Sequence, residues 1–200
     1  MTAGPATMPA GGQEDTRTRL LATALRLFAE HGVEGTSLQM IADALGVTKA
    51  AVYYHFKTKN EIAEAVAEPG LKQLNEVVEE ATRQRRRGQQ IDHLLAGFVD
   101  VVVRHRALIA LFSRDPGVLR SVAESWAGDE NFSKRILEIL IGPAGDVNRA
   151  VAAHAAITGI ALTGGAPEFA ELDDATLREH LLDVGRKLLG RPRRVSSAEA

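Results

Sequence analysis

The stretch Thr36-Ser-Leu-Gln-Met-Ile-Ala-Asp-Ala-Leu-Gly-Val-Thr-Lys-Ala-Ala-Val-Tyr-Tyr-His-Phe56 decides how this chain is read. Leu38, Ile41, Ala42 and Leu45 fall three and four apart, a spacing that gathers them on one face of a short helix. Gly46 suits the left-handed conformation that ends such a helix, and Thr48 can cap a second one running through Lys49, Val52 and Phe56. Two short helices joined by a tight glycine turn form a helix-turn-helix, whose second helix fits the major groove of DNA.

On the N-terminal side, residues 16–30 keep a helical period through Leu20, Leu21, Ala24, Leu25, Leu27 and Phe28, and Gly32 supplies the stop. Either Thr36 or Ser37 can cap the next helix. With Thr36 as the cap, Gln39 closes a capping box; with Ser37, Met40 stands at that position and cannot. The three helices can enclose a small core of Leu21, Phe28, Ile41, Leu45, Val52 and Phe56. The first 13 residues, rich in Ala, Gly and Pro, read as a loose tail and carry neither the basic start nor the apolar run of a signal peptide.

On the C-terminal side, Thr58 and Glu61 form a capping box that opens a fourth helix. Pro69 lacks an amide proton and clashes with the preceding turn, a cost of about 3 kcal/mol inside a helix, so a kink or restart is expected near Glu68. The helix resumes over 71–87 and ends in Arg83, Arg85, Arg86 and Arg87, a basic cluster expected to face solvent, with a phosphate or acidic-ligand contact as the alternative. Residues 91–106 are apolar nearly all round, as in the central helix of a bundle. Shorter helical segments follow at 107–112, 118–126 and 132–141, then an alanine-rich helix over 146–162. Leu177, Leu181, Val184 and Leu188 mark the last helix, before a polar tail over 191–200. No segment alternates in the manner of a strand, so the fold class is all-α. A helix-turn-helix domain over 14–60 precedes a larger helical bundle over 61–190.

Bulk properties narrow the function. At 45% hydrophobic and 25% charged the chain is globular, and its net charge of −2 excludes a uniformly basic DNA-coating protein. Basic character is local: between Gly46 and Asn60 the charged residues are Lys49, Lys57 and Lys59, with no acid among them. The absence of cysteine removes disulfides, Cys-containing zinc fingers and thiol catalysis, and fits a reducing compartment. No run approaches the roughly 18 apolar residues of a membrane span.

Both tyrosines of the chain stand side by side at 53 and 54, next to His55 and among those lysines. A phenol offers its ring to sugars or thymine methyls and its hydroxyl to a phosphate, while lysines answer the backbone charge. Thr48 can present its hydroxyl and amide to a phosphate, and Ala50 and Ala51 are small enough to let the helix lie deep in the groove. As a plain packing alternative, one of the two tyrosines turns inward.

The Thr-Ser opening, Ile41-Ala42, Leu45-Gly46-Val47-Thr48 and Tyr53-Tyr54-His55-Phe56 followed by Lys57-Thr58-Lys59 together resemble the DNA-binding segment of the TetR family of bacterial transcriptional regulators. The resemblance implies three N-terminal helices for DNA and a variable helical domain for ligand and dimerisation. It implies DNA contacts from Thr36, Ser37 and Gln39, a groove-facing set of Thr48, Lys49, Ala50 and Tyr53, and Tyr54, His55 and Lys59 near phosphates. Two positions depart from the common pattern: Met40 replaces an acidic residue, and Pro69 interrupts a helix that in this family relays ligand binding to DNA. The resemblance further implies a homodimer paired through 146–162 and 175–189, a two-fold operator and a small-molecule effector. The effector would lie among residues 91–141, where Phe98, Val102, His105, Leu111, Phe112, Trp126 and Phe132 could line a mostly apolar pocket, with Arg104, Arg106 and Asp115 as polar partners. A cytoplasmic repressor is the form it implies, with no cofactor.

Two other classes compete. An α-helical enzyme finds little footing: no two of the histidines at 31, 55, 93, 105, 154 and 180 have metal-ligand spacing on one helix face, so no metal site and no catalytic set is expected. No Gly-x-Ser-x-Gly elbow is present, and the glycine-rich 159–165 lacks the Gly-Lys-Ser/Thr ending of a phosphate loop. An architectural DNA-binding protein without ligand control would not need so large an apolar C-terminal half.

Overall fold

The computed structural model describes residues 11–115, 130–143 and 145–191, with backbone only for 11–15 and 130–133. Among these residues there are nine α-helices and no strand. The chain forms two compact units, Met1–Val66 and Ala67–Ala200, and the division falls inside one helix.

In the first unit, α1 (Gly11–Gly35) starts within the stretch expected to be a loose tail and runs to a break at Gly32, whose φ of 73° is left-handed. The stop assigned to this glycine is therefore real, with one further turn beyond it. Helices α2 (Leu38–Leu45) and α3 (Lys49–His55) follow. The buried core consists of Leu20, Ala24, Leu27, Phe28, Val33, Ile41, Ala42, Val52, Phe56, Ile62 and Ala63. Of the six residues expected there, Phe28, Ile41, Val52 and Phe56 are buried, while Leu21 and Leu45 are only half-buried. Leu20 lies nearer the middle of the buried stripe it forms with Ala24, Leu27 and Phe28, and Leu21 lies at its edge.

Helix α4 (Lys59–Arg83) passes through Pro69 without a break in helical assignment, so the expected restart near Glu68 does not occur. Pro69 sits on the exposed side, where its ring meets solvent, and Ile62, Ala63, Ala67, Leu74, Val78 and Ala81 bury the opposite side on either side of it. Burial of that stripe outweighs the local proline cost. Gly70, next to it, is buried; a Cβ there would lie 3.2 Å from Cδ2 of His105, so glycine lets that ring rest against the α4 backbone.

The second unit is arranged around α5 (Arg87–Arg104), which buries Ile91, Leu94, Leu95, Phe98, Val99, Val102 and Val103. Around it pack α6 (Arg106–Ser113), α7 (Glu130–Ile141), α8 (Val147–Gly164) and α9 (Asp174–Leu188). The expected helix over 118–126, with Trp126, lies outside the described residues, as does the side chain of Phe132. Asp146 caps α8 and Asp173 caps α9 through their carboxylates. Two ion pairs tie α5 to the C-terminal end of the chain: Arg178 Nε to Asp100 at 2.5 Å, and Arg191 to both carboxylate oxygens of Asp92 at 2.8 and 2.7 Å.

Three expectations shift here. The basic cluster does not share one helix end: α4 stops at Arg83, Arg85 and Arg86 lie exposed in the link, and Arg87 opens α5 with its guanidinium donating to the Leu140 carbonyl at 3.0 Å. The small residues of α8 divide between two sides: Ala153, Ala156 and Gly164 are buried, while Ala155 and Gly159 are exposed. In the leucine stripe of α9, Leu177 and Leu181 are core, and only Val184 and Leu188 are exposed.

Candidate nucleic-acid interface

The two helices of the motif are held by local bonds that their residue types demand. Ser37, not Thr36, caps α2: its hydroxyl accepts from the Met40 amide at 3.2 Å. At the other end Gly46 is left-handed (φ 70°), its N–H donating to the Asp43 carbonyl at 3.1 Å while Val47 N–H donates to that of Ala42 at 3.0 Å. This pair of bonds is the Schellman closure that glycine favours. Thr48 then caps α3 by accepting from Ala51 N–H at 3.2 Å, and the Phe56 amide closes it on the Val52 carbonyl at 3.0 Å. A seven-residue helix has little stability of its own, so these ends and the buried Val52 hold it.

Thr36 plays a different part from the one the sequence suggested. It is 2% exposed, and its hydroxyl donates inward to the Gly32 carbonyl at 2.7 Å, with the Leu27 carbonyl at 3.3 Å. A side chain so placed joins α2 to the broken end of α1 and has no face for DNA. Ser37 and Gln39 are exposed; the Gln39 amide donates to Asp43 at 2.7 Å, an acid beside an expected base or phosphate contact.

Opposite Val52, α3 turns Lys49, Ala50, Tyr53 and Tyr54 to solvent. Both tyrosines are exposed, at 50% and 70%, so neither packs inward as the plain alternative required. The half-buried His55 meets Tyr54 edge to face with ring centroids 5.3 Å apart. Lys57 leans back over Tyr53, its Nζ 4.4 Å from the ring centroid and donating to the Tyr53 carbonyl at 2.6 Å. Lys59 is more committed: its ammonium donates to the Glu34 carbonyl at 3.0 Å and carboxylate at 3.1 Å, joining the end of α1 to the start of α4. Of the three lysines, Lys49 is the one with no such bond among the described residues. The Thr58–Glu61 box also forms, with Glu61 N–H donating to the Thr58 hydroxyl, although the Glu61 carboxylate reaches back to the Lys57 amide. Arg17 was not singled out from the sequence; its guanidinium lies 5.3 Å over the ring of the buried Phe56 and places a cation of α1 at the end of α3. Only proximity across 39 residues reveals it.

The residues expected to receive an effector lie in the other unit. Phe98 and Val102 belong to its core cluster, and Leu111 and Phe112 are buried on α6. His105 is half-buried, its Nε2 3.2 Å from the Gln73 Oε1, and burial, with Arg104 beside it, holds its pKa below the ordinary imidazole value. Arg106 is taken up by the Leu172 carbonyl at 2.7 Å and Asp174 at 3.3 Å. Among the described residues no cluster of His, Asp and Glu could hold a metal ion, and no helix is long and apolar enough to cross a membrane.

Residues 20–66 match the family of bacterial regulatory proteins, tetR family. The chain is similar to the HTH-type transcriptional regulator AcrR of Shigella flexneri, 51% identical over 49 residues that make up 24% of this chain and 23% of that protein. It is also similar to a probable acrEF/envCD operon repressor of Escherichia coli strain K12, 43% identical over 61 residues, or 30% of this chain and 28% of that one. The chain thus spans about a quarter of the length of these relatives. Among solved structures it resembles AibR, determined in complex with isovaleryl coenzyme A and operator DNA, with a TM-score of 0.62 at 21% identity over 83% of this chain and 95% of that one. That likeness extends the shared fold beyond the motif. The matched relatives are transcriptional regulators, not enzymes.

Proposed function

From its TetR-family DNA-binding domain, we propose that this chain is a cytoplasmic transcriptional repressor that binds a two-fold symmetric operator as a homodimer and releases it when a small molecule occupies the C-terminal unit. The observation that carries the reading is the outer face of α3. A helix capped at both ends turns Lys49, Ala50, Tyr53 and Tyr54 to solvent together, and two exposed phenols beside a lysine serve no core. On DNA, Tyr53 and Ala50 meet base edges and thymine methyls, while Lys49, Tyr54, His55 and the N-termini at Ser37 and Thr48 meet phosphates.

Dimerisation is supported by exposed apolar side chains on the last two helices. Val147 and Val151 of α8 are 78% and 62% exposed, and Leu162, Val184 and Leu188 extend the apolar surface. Pairing α8 and α9 with their copies buries it and presents two α3 helices to successive major grooves, about 34–36 Å apart. Repression is the mode of the relative named as a probable repressor, and AibR, determined with both isovaleryl coenzyme A and operator DNA, supports a regulator that binds a small molecule as well as DNA.

Selection of random duplexes by the purified protein is expected to return a two-fold symmetric sequence with half-sites one helical turn apart. Lys49→Ala and Tyr53→Ala should each weaken binding to that sequence by roughly five- to a hundredfold at fixed salt, with the dimer intact by sedimentation. Asymmetric enrichment, or unchanged affinity in both variants, would overturn the assignment of α3 as the reading helix.

A further inference from the structure

The second unit carries a cleft that the regulator reading leaves unused. It opens between the start of α5, the end of α7, the start of α8 and the end of α9, with a volume of about 560 Å3, within the rough range of 300–1,000 Å3 for small organic ligands. Its apolar wall consists of Ile91, Leu140, Ala152, Leu188 and Leu189. Its polar wall is strongly one-signed: Arg87, Arg149 and Arg191 from three separate segments, against the single acid Asp146.

With Asp92 paired to Arg191 and Asp146 capping α8, the three arginines leave the cleft a modest positive balance carried by Arg87 and Arg149. The Asp146 carboxylate is engaged as the α8 cap, accepting the Arg149 backbone N–H at 2.9 Å. Arg87 donates one guanidinium N–H to the Leu140 carbonyl, which cannot neutralise it. Arg191 is fixed by Asp92 through Nε and Nη2 and lies across Gly88, where a Cβ would stand 3.0 Å from Nη2. With five N–H donors on each guanidinium, Arg87 and Arg191 both retain donors, and Arg149 stands exposed at the rim. Two anchored arginines and one exposed one beside a leucine wall form an amphiphilic receptor.

We propose that this cleft binds an amphiphilic organic anion, a carboxylate carried on a hydrocarbon body, with the carboxylate on the arginines and the hydrocarbon against Ile91, Leu140 and Leu189. The planar fork of a guanidinium matches the two oxygens of a carboxylate, and the pair is stronger where apolar walls exclude water. The site lies apart from the buried Phe98 and Val102 and binds without DNA. Leu188 lines the cleft and also belongs to the exposed apolar row, and Asn148, Arg149 and Ala152 alternate with Val147 and Val151 along α8, so the occupant sits at the edge of the surface assigned to the dimer.

The test titrates decanoate, decanol and decyltrimethylammonium into the full-length protein and into Arg149→Lys and Arg149→Glu, by calorimetry without DNA. Decanoate is expected to bind saturably, at least tenfold more tightly than decanol, with no binding of the cation. Arg149→Lys should keep most of the affinity and Arg149→Glu should lose tenfold or more. Glutamate in the first turn of α8 suits the helix dipole, so that variant folds. Decanoate should also shift the methyl resonances of Ile91, Leu140 and Leu189 in the unmodified protein. Equal binding of decanoate and decanol, unchanged affinity in Arg149→Glu, or methyl shifts located elsewhere would each overturn the proposal. Because no operator is present, failure here leaves the DNA-binding reading intact, and failure of operator selection leaves this one intact.

Discussion

Replacing Thr36 with valine separates two roles that the sequence alone assigns to the same residue. A Thr36 that contacts a phosphate would lose one ionic-strength-dependent contact on substitution. The Thr36 of this structure would lose an internal hydrogen bond instead. Its hydroxyl has a single proton, so the 2.7 Å contact to the Gly32 carbonyl and the 3.3 Å contact to Leu27 count as one bond, dominated by the shorter. A net intramolecular hydrogen bond contributes about 0.5–1.5 kcal/mol. Gly32 is exposed, so water can replace the lost donor, and valine returns a methyl of similar shape to a closed site. The expected loss is about 1 kcal/mol. Amide exchange at Phe56, whose N–H closes α3 on Val52, should therefore quicken roughly fivefold under conditions where exchange follows the opening equilibrium. The slope of log affinity for operator against log salt should not change, because no phosphate contact is removed; a lost contact would lower it by about 0.9. Unchanged exchange together with a reduced slope would refute the inward assignment of Thr36.

Two further substitutions bear on α4 and its neighbour. Pro69→Ala restores an amide donor on an exposed helical surface and should raise stability by up to about 3 kcal/mol, read as a higher denaturant midpoint with an unchanged slope. For His105, burial and Arg104 lower the folded-state pKa. The unfolded chain therefore binds the proton more readily than the folded one, and stability that is full above the ordinary histidine pKa near 6.5 falls as pH drops through it towards the folded value. His105→Gln should keep the contact with Gln73 and lose less stability between pH 7.5 and 5.5 than the parent; an equal or steeper loss would show that other groups carry the acid sensitivity.

The motif was legible because its signals are local. Gly46, Thr48, Thr58 and Glu61 make their bonds within five residues, so sequence order alone places them. The choice between Thr36 and Ser37 was not legible: both carry hydroxyls, and the decision rests with carbonyls four and nine residues earlier, at the broken end of α1. Adjacent leucines at 20 and 21 leave the helical phase open by one position, so the sequence alone does not choose between them. Sequence order does not join Lys59 to its partner, Glu34, because that residue lies 25 residues away. At Pro69 local propensity argues for a kink or restart, while six buried residues distributed along both halves of α4 keep it one continuous helix. Of the arginine cleft only Arg87 was legible, as part of the basic cluster, because its walls come from four elements over more than a hundred residues.

Pro69 has one consequence of a mechanical kind. With no N–H of its own it leaves the Ala65 carbonyl without its usual donor, so α4 lacks one rung of its ladder. The missing rung spans residues 65 to 69 and straddles the division between the two units after Val66. A rod bends where its bracing is thinnest, and in α4 the compliance is concentrated in that single turn, with well-braced helix on both sides. Elastic energy put into either end of the helix gathers there.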